Sequence, residues 1–408
     1  MSKIETMYNL PFKVNFCQEC VISNQRPSSY PEFKHTKNRE GAKYMQFDED
    51  GICDACNHSK QKKLIDWDQR EKELVTLLDK YRRNDGYYDC IVPGSGGKDS
   101  AYQSHILKYK YGMNPLTITW APILYTDYGY SNWKNWVEEG GFDNISIKSS
   151  GHVMKKLTKL SIQNLLHPFQ TFFYGQKNLI PKIASKLDIP LVFYGENEAE
   201  YGNPIADNSS SLRDKSYWTL DNSDKIYLAG LSLKELEEKH SLTRNDLYNF
   251  LPALQNEFEN IDLQIHYLGY YLKWTPQEAY YYAVENTSFK ARPFRSQGTY
   301  SKYNSIDDKI DDLHFLTTRI KFGLGRTYYD ASQEIRNKHI TRDEGKLLVK
   351  KFDGEFPDRY FDEILTYLEI KKDEFIDLCD NFRPPHLWKK VNSDWQLRHT
   401  VNNDGLDD

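Results

Sequence analysis

The sequence predicts an α/β protein built around a doubly wound parallel sheet, with a small module before the sheet and a mostly helical region after it. Short apolar, β-prone runs alternate with helical patterns between residues 66 and 205, an alternation that is typical of parallel sheets. The first of these runs leads into a glycine-rich turn and the start of a helix, which is where such sheets bind ligands. Two cysteine pairs precede the sheet and predict a metal-binding module.

Composition places the chain among ordinary soluble proteins. Of its 408 residues, 39% are hydrophobic and 28% are charged. No apolar run approaches the roughly 18–20 residues that span a bilayer, and the first residues lack the apolar core of a signal peptide. We therefore expect a cytoplasmic protein without a membrane partner. The net charge of −5 argues against a nucleic-acid partner, because such proteins neutralise phosphates with an excess of Lys and Arg.

Two Cys-x-x-Cys pairs lie within residues 1–65, which we interpret as one metal-binding module. Their spacing can close a tetrahedral site, and a structural Zn²⁺ is the expected occupant because four thiolates leave no position for substrate. Residues 21–52 separate the pairs, a longer loop than the roughly 15–20 residues of common zinc ribbons. Disulfides, disfavoured in a reducing compartment, and an iron–sulfur cluster are the alternatives. The four ligands are Cys17, Cys20, Cys53 and Cys56.

The elements of the sheet region, residues 66–205, follow one another regularly. A helical pattern over 66–83 leads into the first strand. Further strands and helices then alternate up to the fourth strand, and strands that are separated by helices favour parallel pairing. The predicted strands are Cys90–Pro93, Leu116–Pro122, Phe142–Lys148 and Pro190–Tyr194. One predicted helix begins at Lys98, after the glycine-rich turn, and the others cover Ser131–Glu139, Val153–Leu165 and Tyr174–Leu187.

The turn after the first strand has the composition of an anion-binding loop. Glycines 94, 96 and 97 let backbone N–H groups converge, and the helix that begins at Lys98 adds its positive N-terminal end. Phosphate is the expected anion. The loop is not a Walker loop, since Val92 and Asp99 occupy positions that such a loop reserves for Gly and for Ser or Thr. A glycine-rich turn without a ligand is the alternative.

Polar residues also follow two of the later strands. Because the carboxyl ends of parallel strands meet at one edge, these residues are expected around the same cleft as the loop. Carboxylates there suit Mg²⁺, which takes oxygen ligands and bridges phosphates; a solvated acidic turn is the alternative. Thr126, Asp127 and Gly195 are expected at the rim of this cleft, and the candidates for Mg²⁺ or substrate are Glu196, Asn197 and Glu200, with Asp99 behind the loop.

The remainder divides into an insertion or lid over 206–262, a mostly helical substrate or partner region over 263–391, and a disordered tail over 392–408. Within the helical region, an apolar run from Ile265 to Trp274 predicts a buried strand or an edge of the core. Lys302, Lys321 and Arg326 are candidates for holding an anionic substrate. Each of them, taken singly, is also an ordinary surface or packing residue.

The loop residues Ser95-Gly-Gly-Lys-Asp-Ser100 resemble the Ser-Gly-Gly-x-Asp-Ser signature of the PP-loop ATP pyrophosphatase superfamily. The resemblance implies a HUP-like sheet and an enzyme that cleaves ATP between its α and β phosphates and transfers AMP to a substrate oxygen. It places pyrophosphate in this loop, with Lys98, Asp99 and Ser100 as the catalytic residues. Thr126, Asp127 and Gly195 would complete the nucleotide site.

Longer motifs resemble the N-acetyl sugar amidotransferase family from about residue 10 to residue 390. Besides the cysteine pairs and the loop, they include Val192–Gly202, Gly298–Tyr303, Ser305–Ile310, Ile320–Arg326, Asp353–Pro357 and Phe382–Lys390. Two positions depart from the family pattern: Gly94 replaces a bulkier residue, and Pro384 replaces Ser.

This resemblance implies a reaction on a bacterial surface sugar, in lipopolysaccharide biosynthesis or in making a flagellin glycosylation sugar. ATP and Mg²⁺ would adenylate an acetamido oxygen, and ammonia would then replace it to give an acetamidino group. Expected substrates are nonulosonic acids of the pseudaminic acid or legionaminic acid kind, or a nucleotide-linked diacetamido uronic acid.

Ammonia is expected from a separate glutaminase subunit. Ser2 and not Cys follows the first Met, and Cys90 and Cys379 lie in a predicted core strand and a helix. A tRNA sulfur transferase and a non-catalytic scaffold are the alternative functions. The net charge and the lack of a catalytic cysteine pair argue against the former.

Overall fold

A five-stranded, all-parallel sheet forms the centre of the molecule. The computed structural model of the chain describes residues 4–196, 198–203, 209–220 and 225–403. The strands are β1 (Cys90–Pro93), β2 (Pro115–Trp120), β3 (Asn144–Ile147), β4 (Leu191–Tyr194) and β5 (Gln264–Tyr267). Their order in the sheet is β3-β2-β1-β4-β5, and each neighbouring pair is parallel. The predicted fold class and its four strands are confirmed, and the apolar run from Ile265 supplies a fifth strand at the edge.

The chain reverses its direction of travel across the sheet between β1 and β4. From β1 it moves outward through β2 to β3, and it then returns to place β4 on the other side of β1. Ligands in open α/β sheets bind at such a switch point, beyond the carboxyl ends of the two strands. The loop that starts at Gly94 follows β1, and the segment that starts at Gly195 follows β4. The topology therefore brings these two segments to one crevice.

Side chains from alternate positions of β1 enter two separate apolar cores. Cys90 and Val92 pack with Leu74 and Leu78 on one face of the sheet, whereas Ile91 packs with Leu116, Ile180 and others on the opposite face. Helices thus cover both faces, as the continuous apolar character of a parallel strand requires. The helices of this region are α1 (Asp54–Lys62), α2 (Trp67–Tyr81), α3 (Lys98–His105), α4 (Asp127–Glu138), α5 (Gly151–Leu165) and α6 (Gln170–Lys186).

The N-terminal module packs against the C-terminal helices in a shared core. Tyr8, all four paired cysteines and Tyr328 belong to one buried cluster, and the Tyr8 hydroxyl donates to the Phe382 carbonyl at 2.9 Å. The predicted domain limits remain predictions, although this core joins residues from both ends of the chain. The later helices are α7 (Leu233–His240), α8 (Arg244–Leu247), α9 (Leu268–Tyr271), α10 (Pro276–Thr287), α11 (Asp311–Phe322), α12 (Arg326–Arg336), α13 (Arg342–Phe352), α14 (Asp358–Leu368) and α15 (Lys372–Asn381).

Residues 392–403 are ordered, so the prediction of a disordered tail from residue 392 is wrong for that part. Strand β6 (Trp388–Val391) pairs antiparallel with β7 (Asp394–Leu397). Asn392 and Ser393 form the turn with positive φ angles of 49° and 74°, and Val401 is completely buried. The hairpin forms because Trp388 and Leu397 cover the C-terminal core. Among the described helices, none is long and apolar enough to cross a membrane.

Candidate active site

The loop after β1 folds tightly against α3 and α4. A Cβ atom on Gly94 would lie 2.2 Å from the Ser100 Cβ and 3.0 Å from the indole of Trp136. Trp136 is completely buried, and its Nε1 donates to Ser104 Oγ at 2.8 Å. These contacts keep the indole from moving aside for a side chain at position 94. This packing leaves no room for a side chain at position 94.

Gly96 holds the loop against the backbone of α4. Its φ of +84° lies in the left-handed region, and a Cβ there would stand 2.4 Å from Trp133 Cα and 2.6 Å from Trp133 N. No side chain fits this position without moving backbone. Gly96 therefore fixes the path of the loop, which leads into the N-terminus of α3, where the first backbone N–H groups of a helix lack internal partners.

Three predicted catalytic residues follow at the start of α3. The Lys98 ammonium lies 2.6 Å from Asp99 Oδ2, and only 8% of the lysine side chain is exposed. Lys98 is thus held over the loop by its neighbour. Ser100 is buried and its hydroxyl donates to the Gly97 carbonyl at 2.9 Å, so this side chain stabilises the loop in the structure described.

A cavity of about 460 Å³ opens directly above the loop. Five parts of the chain surround it. They are the loop itself, α4, the segment after β4, the N-terminal module and the C-terminal region. The lining residues include Ser95, Gly96, Gly97, Lys98, Asp99, Glu196, Tyr201, Ile22, Arg26, Met45, Asn304, Ser305, Asp307, Arg326, Tyr329, Asp330, Gln333 and Arg336.

Glu196 faces the loop across this cavity. Desolvation by burial, followed by repulsion from Asp99, raises the pKa of Glu196 to about 7, although Lys98 acts in the opposite direction. The Tyr201 hydroxyl donates to the Glu196 carboxylate. A cation in this part of the cavity would favour the ionised carboxylate and lower this pKa.

The carboxylates of the cavity fit a phosphate-bound Mg²⁺. Mg²⁺ is held by one or two protein carboxylates together with substrate phosphates and waters, and Asp99 and Glu196 provide two such carboxylates beside the loop. Among the described residues, only the four N-terminal cysteines bring three or more metal-ligand groups close together. A metal at the loop would thus need the nucleotide for the rest of its coordination.

Three arginines line the cavity, and the sequence analysis did not predict two of them there. Arg26 lies with its guanidinium 5.2 Å from the Tyr329 ring centroid, and Arg336 Nη2 donates to the Glu200 carbonyl at 3.0 Å. Arg326, predicted as an anion-binding residue, does line the cavity and donates to Asp330 Oδ1 at 2.8 Å. Arg26 and Arg336 carry no local motif, so only tertiary structure reveals them.

Several residues that were expected at the cleft have other positions. Thr126 caps α4 by accepting from Gly129 N at 2.9 Å, and Asp127 is exposed in the first turn of that helix; neither lines the cavity. The reason is that β2 ends at Trp120, well before this capping residue. Gly195 packs against Trp274, 3.2 Å from where a Cβ would lie. Asn197 falls outside the described residues.

Glu200 is also absent from the cavity lining, because it pairs with residues of α1. Its Oε1 accepts from Lys62 and lies 3.6 Å from His58 Nε2. Its side chain is only 10% exposed. Burial acts to raise the pKa of Glu200, but the hydrogen bond with His58, followed by the charge of Lys62, outweighs it and lowers this pKa. Glu200 therefore connects the segment after β4 to the N-terminal module.

The other two predicted anion-binding lysines do not enter this cavity. Lys302 is exposed. Lys321 is buried, donates to the Leu165 carbonyl at 2.6 Å, and lines a different cavity. Gly323, with φ +72°, ends α11 and turns the chain before α12, so Lys321 and Arg326 point to different places despite their proximity in sequence.

The four N-terminal cysteines converge as predicted. Their Sγ atoms all lie within 4.8 Å of one another, with Cys17 to Cys56 at 3.8 Å and Cys20 to Cys53 at 3.7 Å. Four thiolates at about 2.3 Å from one tetrahedral ion would be separated by about 3.8 Å. The arrangement fits a single ion. A four-iron cluster would need wider separation, since irons and bridging sulfides would stand between the sulfur atoms.

This metal site also positions one wall of the cavity. Arg342, the first residue of α13, donates to the Cys20 and Cys17 carbonyls, both at 3.0 Å. Ile22 and Arg26 follow the first cysteine pair directly and line the cavity. Ile22 is also tied to the cluster by its carbonyl, which accepts from the Cys17 backbone N–H at 2.9 Å.

Sequence comparison gives two partial matches. Residues 297–402 match the family model described as the C-terminal domain of WbpG-like lipopolysaccharide biosynthesis proteins. An uncharacterized protein of Methanocaldococcus jannaschii is 31% identical over 86 residues, which cover 16% of this chain. The alignment spans only 31% of that curated relative.

Two of the solved structures that match this chain have low overall similarity to it. The U34-tRNA thiolase NcsA from Methanococcus maripaludis, solved with its [4Fe-4S] cluster, has 11% identity and a TM-score of 0.30, with 77% of this chain and 88% of that chain covered. The NMN synthetase from Francisella tularensis has 13% identity and a TM-score of 0.24, with 35% of this chain and 57% of that chain covered.

Proposed function

We propose that this chain is an ATP-dependent, AMP-forming amidotransferase of the PP-loop type that converts the acetamido group of an N-acetylated bacterial sugar into an acetamidino group. The observation that carries the proposal is the cavity above the loop. One side of it is the glycine-rich turn with Lys98 and Asp99, and the opposite side belongs to the region that matches the WbpG-like domain. The glycine-rich loop thus faces residues of the region that matches a domain of lipopolysaccharide biosynthesis proteins.

The loop would hold the β and γ phosphates while the α phosphate reacts. Backbone N–H groups at the start of α3 and the Lys98 ammonium are positioned to stabilise the negative charge of departing pyrophosphate. Asp99 and Glu196 would hold Mg²⁺ together with ATP, and the ion would supply further neutralisation of the same charge. Arg26, Arg326 and Arg336 add positive charge on the opposite side of the cavity.

The reaction needs adenylation because an amide oxygen is a poor leaving group. The sugar's acetamido oxygen attacks the α phosphorus and pyrophosphate leaves. Ammonia then attacks the resulting imidate carbon, the C–O bond breaks, and AMP departs with that oxygen. The chain would contribute orientation and charge, since the cavity brings the loop and the C-terminal wall within reach of one ligand.

The remaining two cysteines favour an external ammonia source and do not favour sulfur transfer. Cys90 is completely buried in β1 and Cys379 is 5% exposed in α15. Burial raises the pKa of Cys90, and burial is also the main cause that raises the pKa of Cys379 to about 12. Neither is a ready thiolate nucleophile. We therefore retain a separate glutaminase subunit as the proposed partner.

We assign Zn²⁺ to the four-cysteine site, with a structural role. Four buried thiolates complete a tetrahedron and leave no open coordination position, and Ile22 and Arg26 extend from this site to the cavity. The ion would supply folding energy to the N-terminal module.

The test is incubation of the purified chain with ATP, Mg²⁺, ammonium and a panel of N-acetylated sugars. We expect AMP, pyrophosphate and, by mass spectrometry, a sugar in which NH replaces oxygen. Glutamine should not replace ammonium unless a glutaminase is added. Formation of ADP, or a sulfur-containing tRNA product, would contradict the proposal. Loss of AMP formation in Lys98→Ala, with Lys302→Ala as the exposed control, would connect the activity to the loop.

A further inference from the structure

Four carboxylates of the described residues line the cavity above the loop, and the reaction as proposed uses only two of them. Three of the four already have a partner in the protein. The Lys98 ammonium, the Tyr201 hydroxyl and Arg326 Nε each contact one of them. Among the described residues, none donates a hydrogen bond to the fourth carboxylate, that of Asp307, or forms an ion pair with it. In the order of their partners, the three engaged carboxylates belong to Asp99, Glu196 and Asp330.

The backbone around Asp307 is fixed by the segment that follows β2. Thr126 N donates to the Asp307 carbonyl at 3.0 Å, and the Thr126 hydroxyl donates to the Ile306 carbonyl. The next residue, Asp308, is 4% exposed and accepts from Ile123 N at 2.6 Å. Asp307 thus lies between two anchored residues, and its half-buried side chain remains available to a ligand of the cavity.

Helix α4 supports both Asp307 and the loop on one face. A Cβ on Gly129 would stand 2.3 Å from Asp307 Cα, and a Cβ on Gly96 would stand 2.4 Å from Trp133 Cα. Positions 129 and 133 lie on the same side of a helix, about 6 Å apart along its axis. Asp307 and the loop therefore meet α4 about one helical turn apart. A substrate that reacts with a nucleotide held by the loop would lie within reach of Asp307.

The second step of the proposed reaction needs a proton acceptor. The adenylated imidate keeps the N–H of the original acetamido group, and ammonia attacks its carbon. The new C–N bond makes the ammonia nitrogen cationic. That nitrogen gives up one proton, the C–O bond breaks, and AMP leaves with the electron pair of that bond. The product is an amidinium ion, and the proton that was lost must go to a base beside the attacking nitrogen.

We propose that the Asp307 carboxylate is the general base that takes this proton and passes it to solvent as the products leave. The assignment rests on the proposed function, because it concerns the second step of that reaction. Asp307 belongs to residues 297–402, which form the side of the cavity opposite the loop and match the WbpG-like domain. Its carboxylate also needs to give up no hydrogen bond within the described part of the chain before it accepts a proton.

The test separates the two steps in Asp307→Asn, which keeps the shape of the side chain. Exchange of labelled pyrophosphate into ATP, dependent on the sugar, reports adenylation and does not need ammonia. We expect this exchange to be retained and amidine formation with ammonium to fall about 100-fold, as the loss of a general base implies. Asp362→Asn, at an exposed position of α14, is the control and should change neither rate.

Hydroxylamine replaces ammonium in a second measurement on the same variants. Its nitrogen is much less basic than that of ammonia, so its adduct with the imidate carbon loses a proton more readily and depends less on a base. Asp307→Asn should therefore lose less than about tenfold with hydroxylamine. A purely structural defect would instead lower the rates with the two nucleophiles equally.

Amidine formation by Asp307→Asn at the rate of the unchanged protein, or an equal loss with both nucleophiles, would overturn the assignment. Loss of pyrophosphate exchange in the variant would also overturn it, because Asp307 would then serve adenylation or the shape of the cavity. Each of these results leaves the proposed function intact. If the unchanged protein neither exchanges pyrophosphate nor forms an amidine with any sugar tested, the proposed function is refuted and this inference with it.

Discussion

Substitution of Gly96 by Ala should disable the loop more severely than the backbone conformation alone explains. Any L-residue in the left-handed region costs about 1 kcal/mol, and Gly96 has a φ of +84°. The added Cβ would also meet Trp133 Cα at 2.4 Å. Overpacking of this kind costs about 2 kcal/mol. If the loop relieves the contact by moving away from α4, this second cost appears as a loss of about 30-fold in affinity for Mg²⁺-ATP.

Gly86 provides a matched control for this prediction. Its φ of +83° equals that of Gly96 within one degree, but a Cβ there meets nothing within 4 Å. Gly86→Ala should therefore lower thermal stability slightly and leave nucleotide affinity unchanged. Affinity is measured by calorimetry and stability by thermal unfolding, each on both variants. Equal ATP affinity and equal melting temperatures for Gly86→Ala and Gly96→Ala would refute the close approach of the loop to α4.

Three further predictions concern the cavity and the metal site. Lys98→Met should bind ATP weakly and release pyrophosphate at least 100-fold more slowly, because the charge that stabilises the leaving group is lost. A pyrophosphate assay measures the rate, and circular dichroism checks that the variant is folded. An unchanged rate would exclude this role of Lys98. The pKa of Glu196 is raised to about 7 from a usual 4.5, so between these pH values the folded state binds more protons than the unfolded state and stability falls as pH rises. Glu196→Gln should remove the contribution of this group to the fall in melting temperature. A variant with the same pH profile as the unchanged protein would contradict the raised pKa of Glu196. Cys56→Ser should lower the zinc content measured by elemental analysis. It should also weaken ATP binding, because we expect the cavity wall that contains Arg26 to depend on the cysteine module. Loss of zinc with normal ATP binding would show that this wall does not depend on the metal.

The sequence predicted the features that depend on local pattern. Glycines after an apolar run predicted the loop, and the spacing of two cysteine pairs predicted a cluster whose sulfur atoms lie within 4.8 Å. The strands of the sheet also carried a local signal, because they are short apolar runs between helices. The edge strand that begins at Gln264 was visible only as an apolar run, since its partner β4 is distant in sequence.

Residues whose position depends on tertiary packing could not be predicted in this way. Arg26 and Arg336 come from opposite ends of the chain and meet at the cavity only because the N-terminal module shares a core with the C-terminal helices. Lys321 was expected beside Arg326, but the turn at Gly323 sends it to a different cavity. Thr126 resembled a residue at the end of a strand, yet its hydroxyl caps a helix.

The most direct test of the central claim follows the acetamido oxygen. The accepted N-acetylated sugar is prepared with oxygen-18 in the acetamido carbonyl and incubated with ATP, Mg²⁺ and ammonium. Adenylation of that oxygen predicts AMP that carries the label in its phosphate, formed in equal amount with the amidine. Unlabelled AMP, or ADP in place of AMP, would contradict the account.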